Sequence, residues 1–565
     1  MNINGKANQE NTYDAIVIGS GISGGWAAKE LCEKGLKTLV LERGRMVEHI
    51  KDYPTATMHK WEFPHRGAIP LKDKEDNPIV NRCYAYSEAT EHFFVKDMEH
   101  PYEQAKPFDW IRGYQVGGKS LTWARNVQRW SDLDFEANIK EGIAIDWPIR
   151  YKDIAPWYSY VEKFVGISGN KDGLPQIPDG EFLPPMEMNC LEKHVKRAFS
   201  ELYETRHLII SRTANNTKRI GNRGPCQHRN LCRRGCPLGG YFSSNSATLP
   251  AAIATGNMTL RPFSVVHSII YDETTQKAKG VRVIDTNTKE TIDFFAKIVF
   301  VNASTLNSTL ILLNSKSDRF PNGLGNDSGE LGHNLMDHNY NAKVRGEYDG
   351  FKDRYFEGSR PTGTYIPRFR NFGADKQNNF LRGYAFGCRG DRKPGSDLAK
   401  TAVGSALKED LTSLGPWEFT MHGMGECLPY HENKVTLSKD KVDQWGIPLL
   451  NIDAEYKENE KAMEKDMLQS AMEMMDRAGL KNITDMEEKR NIGLNIHEMG
   501  TARMGKSPKT SVLNKHNQVW GAENVFVTDG ASMTSSACQN PSLTYMALTA
   551  RAVDFAVNEL NKRNL

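Results

Sequence analysis

The sequence predicts an α/β fold joined to an antiparallel β layer, on three observations. Residues 14–42 read as strand, glycine-rich turn, helix and second strand. Between about 340 and 455, short β-like runs alternate with polar loops. From about 525 to 560 a short strand leads into a long helical pattern.

The N-terminal element is the most specific. An apolar run, Asp14 to Ile18, feeds directly into Gly19-Ser20-Gly21-Ile22-Ser23-Gly24, and after a helical pattern a second apolar run, Thr38 to Leu41, ends in Glu42. This is a Rossmann-type βαβ unit built to hold a dinucleotide. Gly19 permits the tight turn, Gly21 lets backbone approach the pyrophosphate, and Gly24 lets helix and strand pack closely. The helix N-terminus turns its unpaired N–H groups to the phosphates. Glu42 suits a ribose 2′-hydroxyl, and its charge disfavours a 2′-phosphate.

Residues 45–110, rich in Pro, His, Tyr and charge, predict irregular surface excursions. Helices are expected within 149–165 and from Leu191 to Leu202, where Leu191, Val195, Phe199 and Leu202 fall near helical spacing. Three β-rich runs follow: LRPFSVVHSIIYD, AKGVRVID and AKIVFVNAS, the last continuing into helical LNSTLILLNS. The alternating region after 340, with KVTLS and PLLNID in it, predicts an antiparallel sheet in a second domain. A helix from about Glu458 to Ala478 is stopped by Gly479. Its Met463, Met467, Met472, Met474 and Met475 read as a gap-filling core stripe rather than a metal or sulfur site. The chain then runs through HEMGTARMG and NVFVTDG to a helix from about Pro541 to Leu560.

Composition narrows the function. The chain has 565 residues, room for roughly two to four domain-sized units. Its 39% hydrophobic and 25% charged content suits a globular protein with a sizeable core. A net charge of +3 argues against a nucleic-acid partner or an anionic membrane surface. No apolar run is long enough for a transmembrane segment. MNINGKANQENTYD lacks the apolar core of a signal peptide, so no export signal is expected in cis. Nine cysteines in a chain this long do not suggest a disulfide scaffold.

Taken together, the first and last blocks resemble the glucose–methanol–choline (GMC) oxidoreductases, flavoenzymes that oxidise alcohols. The motifs that carry the resemblance span nearly the whole chain: the βαβ unit, GYQVGGKSLTWARN (113–126), AKIVFVNASTLNSTLILLNS (296–315), GLGNDSGELGHNLMDH (323–338), ENKVTLS (432–438), HEMGTARMG (497–505), VFVTDGASM (525–533) and NPSLTYMALTARAVD (540–554). The resemblance implies FAD rather than NAD. It also implies a Rossmann-type FAD-binding domain over 1–340 and 490–565, with a discontinuous substrate-binding domain, 341–489, whose antiparallel sheet lies over the isoalloxazine. By resemblance the cofactor contacts are Gly19, Gly21, Ser23, Gly24, Glu42, Arg43, Gly117, Gly118, Ser120, Val266 and Asp529. Some relatives bind FAD covalently through a His just before the Trp of the flavin loop. Thr122 stands there, before Trp123, so non-covalent FAD is expected.

Alcohol oxidation needs removal of the hydroxyl proton while a hydride leaves the same carbon for flavin N5. His497 matches the family's catalytic His, and an imidazole suits the base. Asn540 matches the second family position, and its amide can orient the alcohol oxygen without titrating. The His/Asn pair resembles that of sugar-oxidising members, and it also occurs in non-sugar members.

Cys226, Cys232 and Cys236 lie in PCQHRNLCRRGCPLGG (225–240). Cys-x5-Cys-x3-Cys-Pro suits a loop wrapping a [3Fe-4S] cluster, or a [4Fe-4S] cluster with an outside ligand such as His228. The alternatives are a reduced structural trio, or a local disulfide plus one thiol. The loop resembles one in the dehydrogenase branch of the family, the flavin subunits of gluconate, glucose and glucoside 3-dehydrogenases. That branch implies a small helper subunit, a cytochrome c or other electron acceptor, and export to the periplasm with a signal-bearing partner, the alternative being the cytoplasm. The expected activity is therefore FAD-dependent oxidation of a secondary hydroxyl of a sugar or glycoside, with C3 of glucosides the specific expectation. An oxidase using O2, a non-redox FAD-containing lyase and a non-catalytic flavin-binding scaffold are the competing expectations.

Overall fold

The computed structural model describes residues 11–355, 360–395, 402–486 and 490–565. Most of the N-terminal stretch read above for an export signal, residues 1–10, lies outside the described residues.

The first sheet is assembled from distant segments. β1 (Thr12–Ile18) lies between β2 (Thr38–Leu41) and β8 (Thr291–Val301), parallel to both. β5 (Met258–Arg261) continues the parallel order beyond β2, and β17 (Ala522–Val527) beyond β8. β16 (Gln518–Val519) closes that edge antiparallel to β17. Ala15 to Val17 and Val299 to Val301 are fully buried, as a parallel sheet covered on both faces requires. The helices Ile22–Glu33 and Ser542–Asn561 cover it, through Ala27, Ala28, Leu31, Val553 and Ala556.

The run 260–272 reads as one strand but forms two. Pro262 has no N–H to give a ladder, and Phe263 takes φ +56. The chain therefore breaks, and β6 (Ser264–Asp272) turns off into an antiparallel ribbon with β7 (Lys277–Asp285), which pairs in turn with the first half of β8.

The second sheet is antiparallel throughout. Its order is β15 (Lys481–Asp485), β9 (Lys343–Tyr348), β12 (Leu414–Gly425), β11 (Tyr384–Pro394), β10 (Thr364–Ile366) and β4 (Ile209–Ile210). One face packs on the helices Glu458–Arg477 and Cys190–Leu202. Met463, Met467, Met474 and Met475 are buried there among Phe386, Trp417 and Phe419, with Met472 packed at the margin. The methionine stripe is thus core, where an unbranched, polarisable side chain fills irregular gaps.

KVTLS and PLLNID do not join this sheet. They form a hairpin of their own, β13 (Lys434–Val442) and β14 (Pro448–Asp453), with β3 (Glu103–Gln104) parallel to β14. The physical reason is where their apolar faces go. Val435, Leu450 and Ile452 are buried against Phe108, Trp110, Leu306 and Leu335, away from the antiparallel sheet.

The glycine turn after β1 is sterically forced. Gly19 takes φ +95, and a Cβ on it would stand 2.4 Å from the Asn302 carbonyl oxygen. A Cβ on Gly24 would fall 1.9 Å from the Gly19 carbonyl oxygen, whereas one on Gly21 meets no described atom within 4 Å. Gly24→Ala is therefore expected to destabilise the apoprotein by about 1–3 kcal/mol, the usual cost of overpacking. Gly21→Ala should leave it within about 1 kcal/mol, since lost capping preference and lost chain entropy offset each other. Denaturant unfolding of the two apoproteins measures the difference, and equal losses would contradict the packing argument.

Candidate active site

A cavity of about 760 Å³ runs from the Gly19–Ser23 turn, past Glu42 and Arg43, to His497 and Asn540. Three helices start on its wall without a side-chain cap: Ile22–Glu33 behind Gly21, Thr305–Asn314 behind Ser304, and Ser542–Asn561 behind Pro541. Each leaves first-turn N–H groups and the positive end of a helix dipole for whatever fills the space.

Glu42 is aimed by its own neighbourhood. Its carboxylate accepts from the Ser20 hydroxyl at 2.6 Å, the Ser20 N–H at 3.2 Å and the Gly44 N–H at 3.0 Å. Burial raises its pKa, and these donors pull it back. The Ser20 hydroxyl also accepts from the Gly117 N–H at 3.0 Å, which ties the 113–126 loop to the glycine turn. Gly117 takes φ +92, and a Cβ there would strike Asn245 Oδ1 at 1.7 Å. The Ser120 hydroxyl donates to the Gly117 carbonyl at 2.5 Å and accepts from the Ser244 N–H at 3.0 Å. Asp529 caps the short turn Gly530–Ser532, accepting from the Ala531 N–H at 3.0 Å and the Ser308 hydroxyl at 2.5 Å, and burial raises its pKa to about 6.

The site residues expected from sequence therefore divide. Gly19, Gly21, Ser23, Glu42, Arg43, Gly118, Ser120, Val266, His497, Asp529, Asn540 and Cys232 lie on the cavity wall, as does Thr122. Gly24 and Gly117 stand behind it, serving the close packing of turn and loop. Cys226 and Cys236 are off the wall.

The His497 end of the cavity is organised by a hydrogen-bond chain. The Ala537 carbonyl is bonded to His338 Nε2. A carbonyl oxygen only accepts, so His338 carries its proton on Nε2. Burial drives the His338 pKa down to about 4, so the ring is neutral and its Nδ1 is an acceptor. His338 Nδ1 lies 2.8 Å from His497 Nδ1. One of these two nitrogens has to donate, and only His497 can. His497 is then protonated on Nδ1 and bare on Nε2, which lies 3.3 Å from the Asn540 amide nitrogen. The Asn495 amide nitrogen lies 3.2 Å from His497 Nδ1, and this tautomer requires that amide flipped so that its oxygen accepts from the N–H. Burial pushes the His497 pKa well below the usual imidazole value, and His338 and Lys119 add to the effect.

Asp337 clamps the loop that carries His497. Its carboxylate accepts from the backbone N–H groups of Gly493, Asn495 and His497 at 2.9, 3.2 and 3.0 Å. Burial, with neighbouring Glu498, raises its pKa to about 7. Lys119 of the flavin loop pairs with Glu498 at 3.0 Å and so binds the two halves of the site together. Sequence reasoning missed Asp337, His338 and Asn495. The first two end the GELGHNLMDH segment, whose sequence carries the family likeness but no local signal of a part in the chemistry.

The cysteine loop is different. Cys226, Cys232 and Cys236 are half-buried free thiols, so the local disulfide alternative does not hold. Among the described residues the ligand set that closes to within 4.8 Å is Asp337, His338 and His497, and the three sulfurs form no comparable single-ion site. Burial raises the Cys226 thiol pKa. Arg229 and Arg234 donate to the carbonyls of Ala56 and Met58, anchoring the loop, and Arg233 lies 4.5 Å over the Tyr84 ring.

The wall fits a polar, elongated cofactor. Asn302 Oδ1, Glu498 Oε1, Asn540 Oδ1 and the Tyr545 hydroxyl are buried on it without a protein partner, and a buried polar atom left so is costly. With the opening at Gly21 and the carboxylate of Glu42, they suit FAD.

Two family models, both described as GMC oxidoreductase, match residues 13–340 and 429–549. The chain is 29% identical to the 2-methyl-1,2-propanediol dehydrogenase of Mycolicibacterium austroafricanum, over 96% of this chain and 94% of that one. It is 25% identical to the fructose dehydrogenase large subunit of Gluconobacter japonicus, over 98% and 100%. A solved formate oxidase of Aspergillus oryzae shares the fold at TM-score 0.62 and 14% identity, over 98% of this chain and 100% of that one. The chain thus belongs to the GMC oxidoreductase family, FAD-dependent enzymes acting on CH–OH groups.

Proposed function

We propose that this protein is an FAD-dependent dehydrogenase that oxidises a secondary hydroxyl of a sugar or glycoside, with C3 of a glucoside the specific assignment. The observation that carries the reading is the bare Nε2 of His497, held 3.3 Å from the Asn540 amide on the cavity wall. The 25% identity to a fructose dehydrogenase large subunit supports the substrate class. Bound FAD, held non-covalently with Thr122 in place of a linking His, supplies the acceptor for the substrate hydride.

The chain's own residues do the rest. Asn540 donates its amide N–H to the alcohol oxygen and turns a lone pair of it away from the base. His497 Nε2 takes the hydroxyl proton. His338, fixed by the Ala537 carbonyl, keeps the His497 proton on Nδ1 so that Nε2 stays free. Asp337 holds the backbone of the loop still while Nε2 changes charge. Burial excludes water, which strengthens each of these interactions.

Cys226, Cys232 and Cys236 would hold a [3Fe-4S] or [4Fe-4S] cluster, which when bound supplies one-electron transfer. Thiolates on a cluster are spaced more widely than ligands of a single ion, and Cys232 shares the cavity wall with His497. A small helper subunit and a cytochrome c or other acceptor complete the assembly, in the periplasm and exported with a signal-bearing partner. Among the described residues no helix is long and apolar enough to cross a membrane.

Anaerobic addition of glucosides should bleach the flavin, and His497→Ala should slow bleaching by about a hundredfold or more with flavin still bound. Absence of bleaching by any sugar or glycoside removes the reading, and peroxide formed in step with substrate loss makes the enzyme an oxidase. The base must be neutral to act, and its pKa lies below the usual value of about 6.5. The kcat/KM profile should therefore be flat above pH 7 and fall only on the acid side, with a midpoint under about 6.5. Iron and acid-labile sulfide assays on anaerobically purified protein should find both, and find neither in Cys232→Ser. Wild-type protein without iron after reconstitution would refute the cluster.

A further inference from the structure

Apart from Gly415 at the start of β12, the glycines of the second sheet fall into two groups. Gly346, Gly390, Gly423 and Gly425 are crowded by the helices behind the sheet. A Cβ on each would meet Leu480, Asn189, Met467 or Met463 within 3.2 Å. Helix packing therefore accounts for all four. Gly387, in the middle of β11, has no such reason. Its φ is not positive, and a Cβ on it would meet no described atom within 4 Å. A glycine inside a strand weakens it, and commonly marks a place that another group must approach closely.

The register shows what lies beside that space. Gly387 pairs with His422 of β12, and His422 with Lys343 of β9, so the three form one row on one face. Gly387, Arg389, His422 and Lys343 all line the cavity that holds His497. Tyr340 stacks on the His422 ring at 5.7 Å between centroids and 21° between planes. A flat aromatic surface thus stands beside the gap, with Lys343 next to His422 in the row and Arg389, two residues along β11 and paired with Asp391 at 2.6 Å, on the same face. The same backbone segment carries the base-positioning residue. Asn339 pairs with Gly425 at the end of β12, which sets His338 next to this floor.

We propose that Gly387 is the specificity-determining gap of the site, and that it admits one pyranose-sized ring. The ring lies against the Tyr340–His422 pair, its hydroxyls within reach of Lys343 and Arg389, and presents a ring hydroxyl to His497. The proposal rests on the sugar-oxidising reading above and locates the subsite for the ring within it.

The test compares wild-type holoenzyme with Gly387→Ala and Gly387→Val, using methyl glucoside as the ring probe and 1,2-propanediol as the ring-free probe. Flavin absorbance reports cofactor loading, and thermal unfolding reports the fold. Gly387→Val should keep its flavin and unfold no lower than wild type, because a β-branched residue suits a strand and the space is open. Its efficiency on the glucoside should fall at least about tenfold, and that on the diol stay within about twofold, with Gly387→Ala between. Unchanged glucoside kinetics in Gly387→Val would overturn the proposal. So would a matching fall on both probes, or unfolding of both variants, which would mean that the space is not open. If the wild-type flavin is bleached by neither probe nor any other sugar, the parent reading has failed, and this proposal with it.

Discussion

The chemistry of this site depends on one constraint: the Ala537 carbonyl oxygen has no proton to give. Bonded to His338 Nε2, it settles the tautomer of that ring, and at 2.8 Å His338 Nδ1 settles the tautomer of His497. An imidazole on an open loop samples both tautomers, and only one presents a lone pair at Nε2. Here the choice is made two hydrogen bonds away by a backbone atom, which cannot titrate. A buried neutral His338, with its pKa near 4, keeps the chain intact across the physiological range.

The geometry this requires is brought together from six parts of the sequence. The glycine turn, the 113–126 loop, the start of the helix Thr305–Asn314, the Asp337–Lys343 segment, the His497 loop and the start of the last helix meet on one cavity. Parallel pairing of β1 with β8, and of β8 with β17, brings three of them to the same edge of one sheet. Specific polar links then fix the others. Gly117 to Ser20 joins loop to turn, and Lys119 to Glu498 joins loop to catalytic segment. Asp337, accepting three backbone N–H groups, removes the freedom of the loop 493–497. Each link satisfies a buried group that would otherwise be costly, so the placement of His497 is part of the stability of the fold.

What the sequence reveals follows from range. The Gly19–Gly24 turn, the acid at 42 and the helix after the turn are local, and their steric logic shows in one stretch of residues. The methionine stripe of Glu458–Arg477 is legible for the same reason, since its period is that of one helix. His338 is not legible as a working residue, because its role exists only through His497, 159 positions on, and the Ala537 carbonyl, 199 positions on. The run 260–272 misleads because its apolar content is continuous while its backbone is not: Pro262 and Phe263 turn the chain out of the parallel ladder and into an antiparallel ribbon of the same sheet. KVTLS and PLLNID carry strand patterning that says nothing of which core their apolar faces meet. The cysteine loop lies at the boundary. Its spacing is local, but its thiols take their meaning from what they bind.

Burial also explains why an imidazole suits the proposed role of base. Taking an ionisable group out of water disfavours its charged form. For a carboxyl this means the protonated acid, and the acids around this cavity show it: Asp529 is raised to about 6 and Asp337 to about 7. A carboxylate in the place of His497 would be driven toward the form that cannot accept a proton. For an imidazole the same desolvation favours the neutral ring, which is the form that can, and His497 is displaced in that direction. The dry site that alcohol oxidation needs thus disarms one kind of base and keeps the other ready. The cost falls after proton uptake, when a buried imidazolium needs compensation.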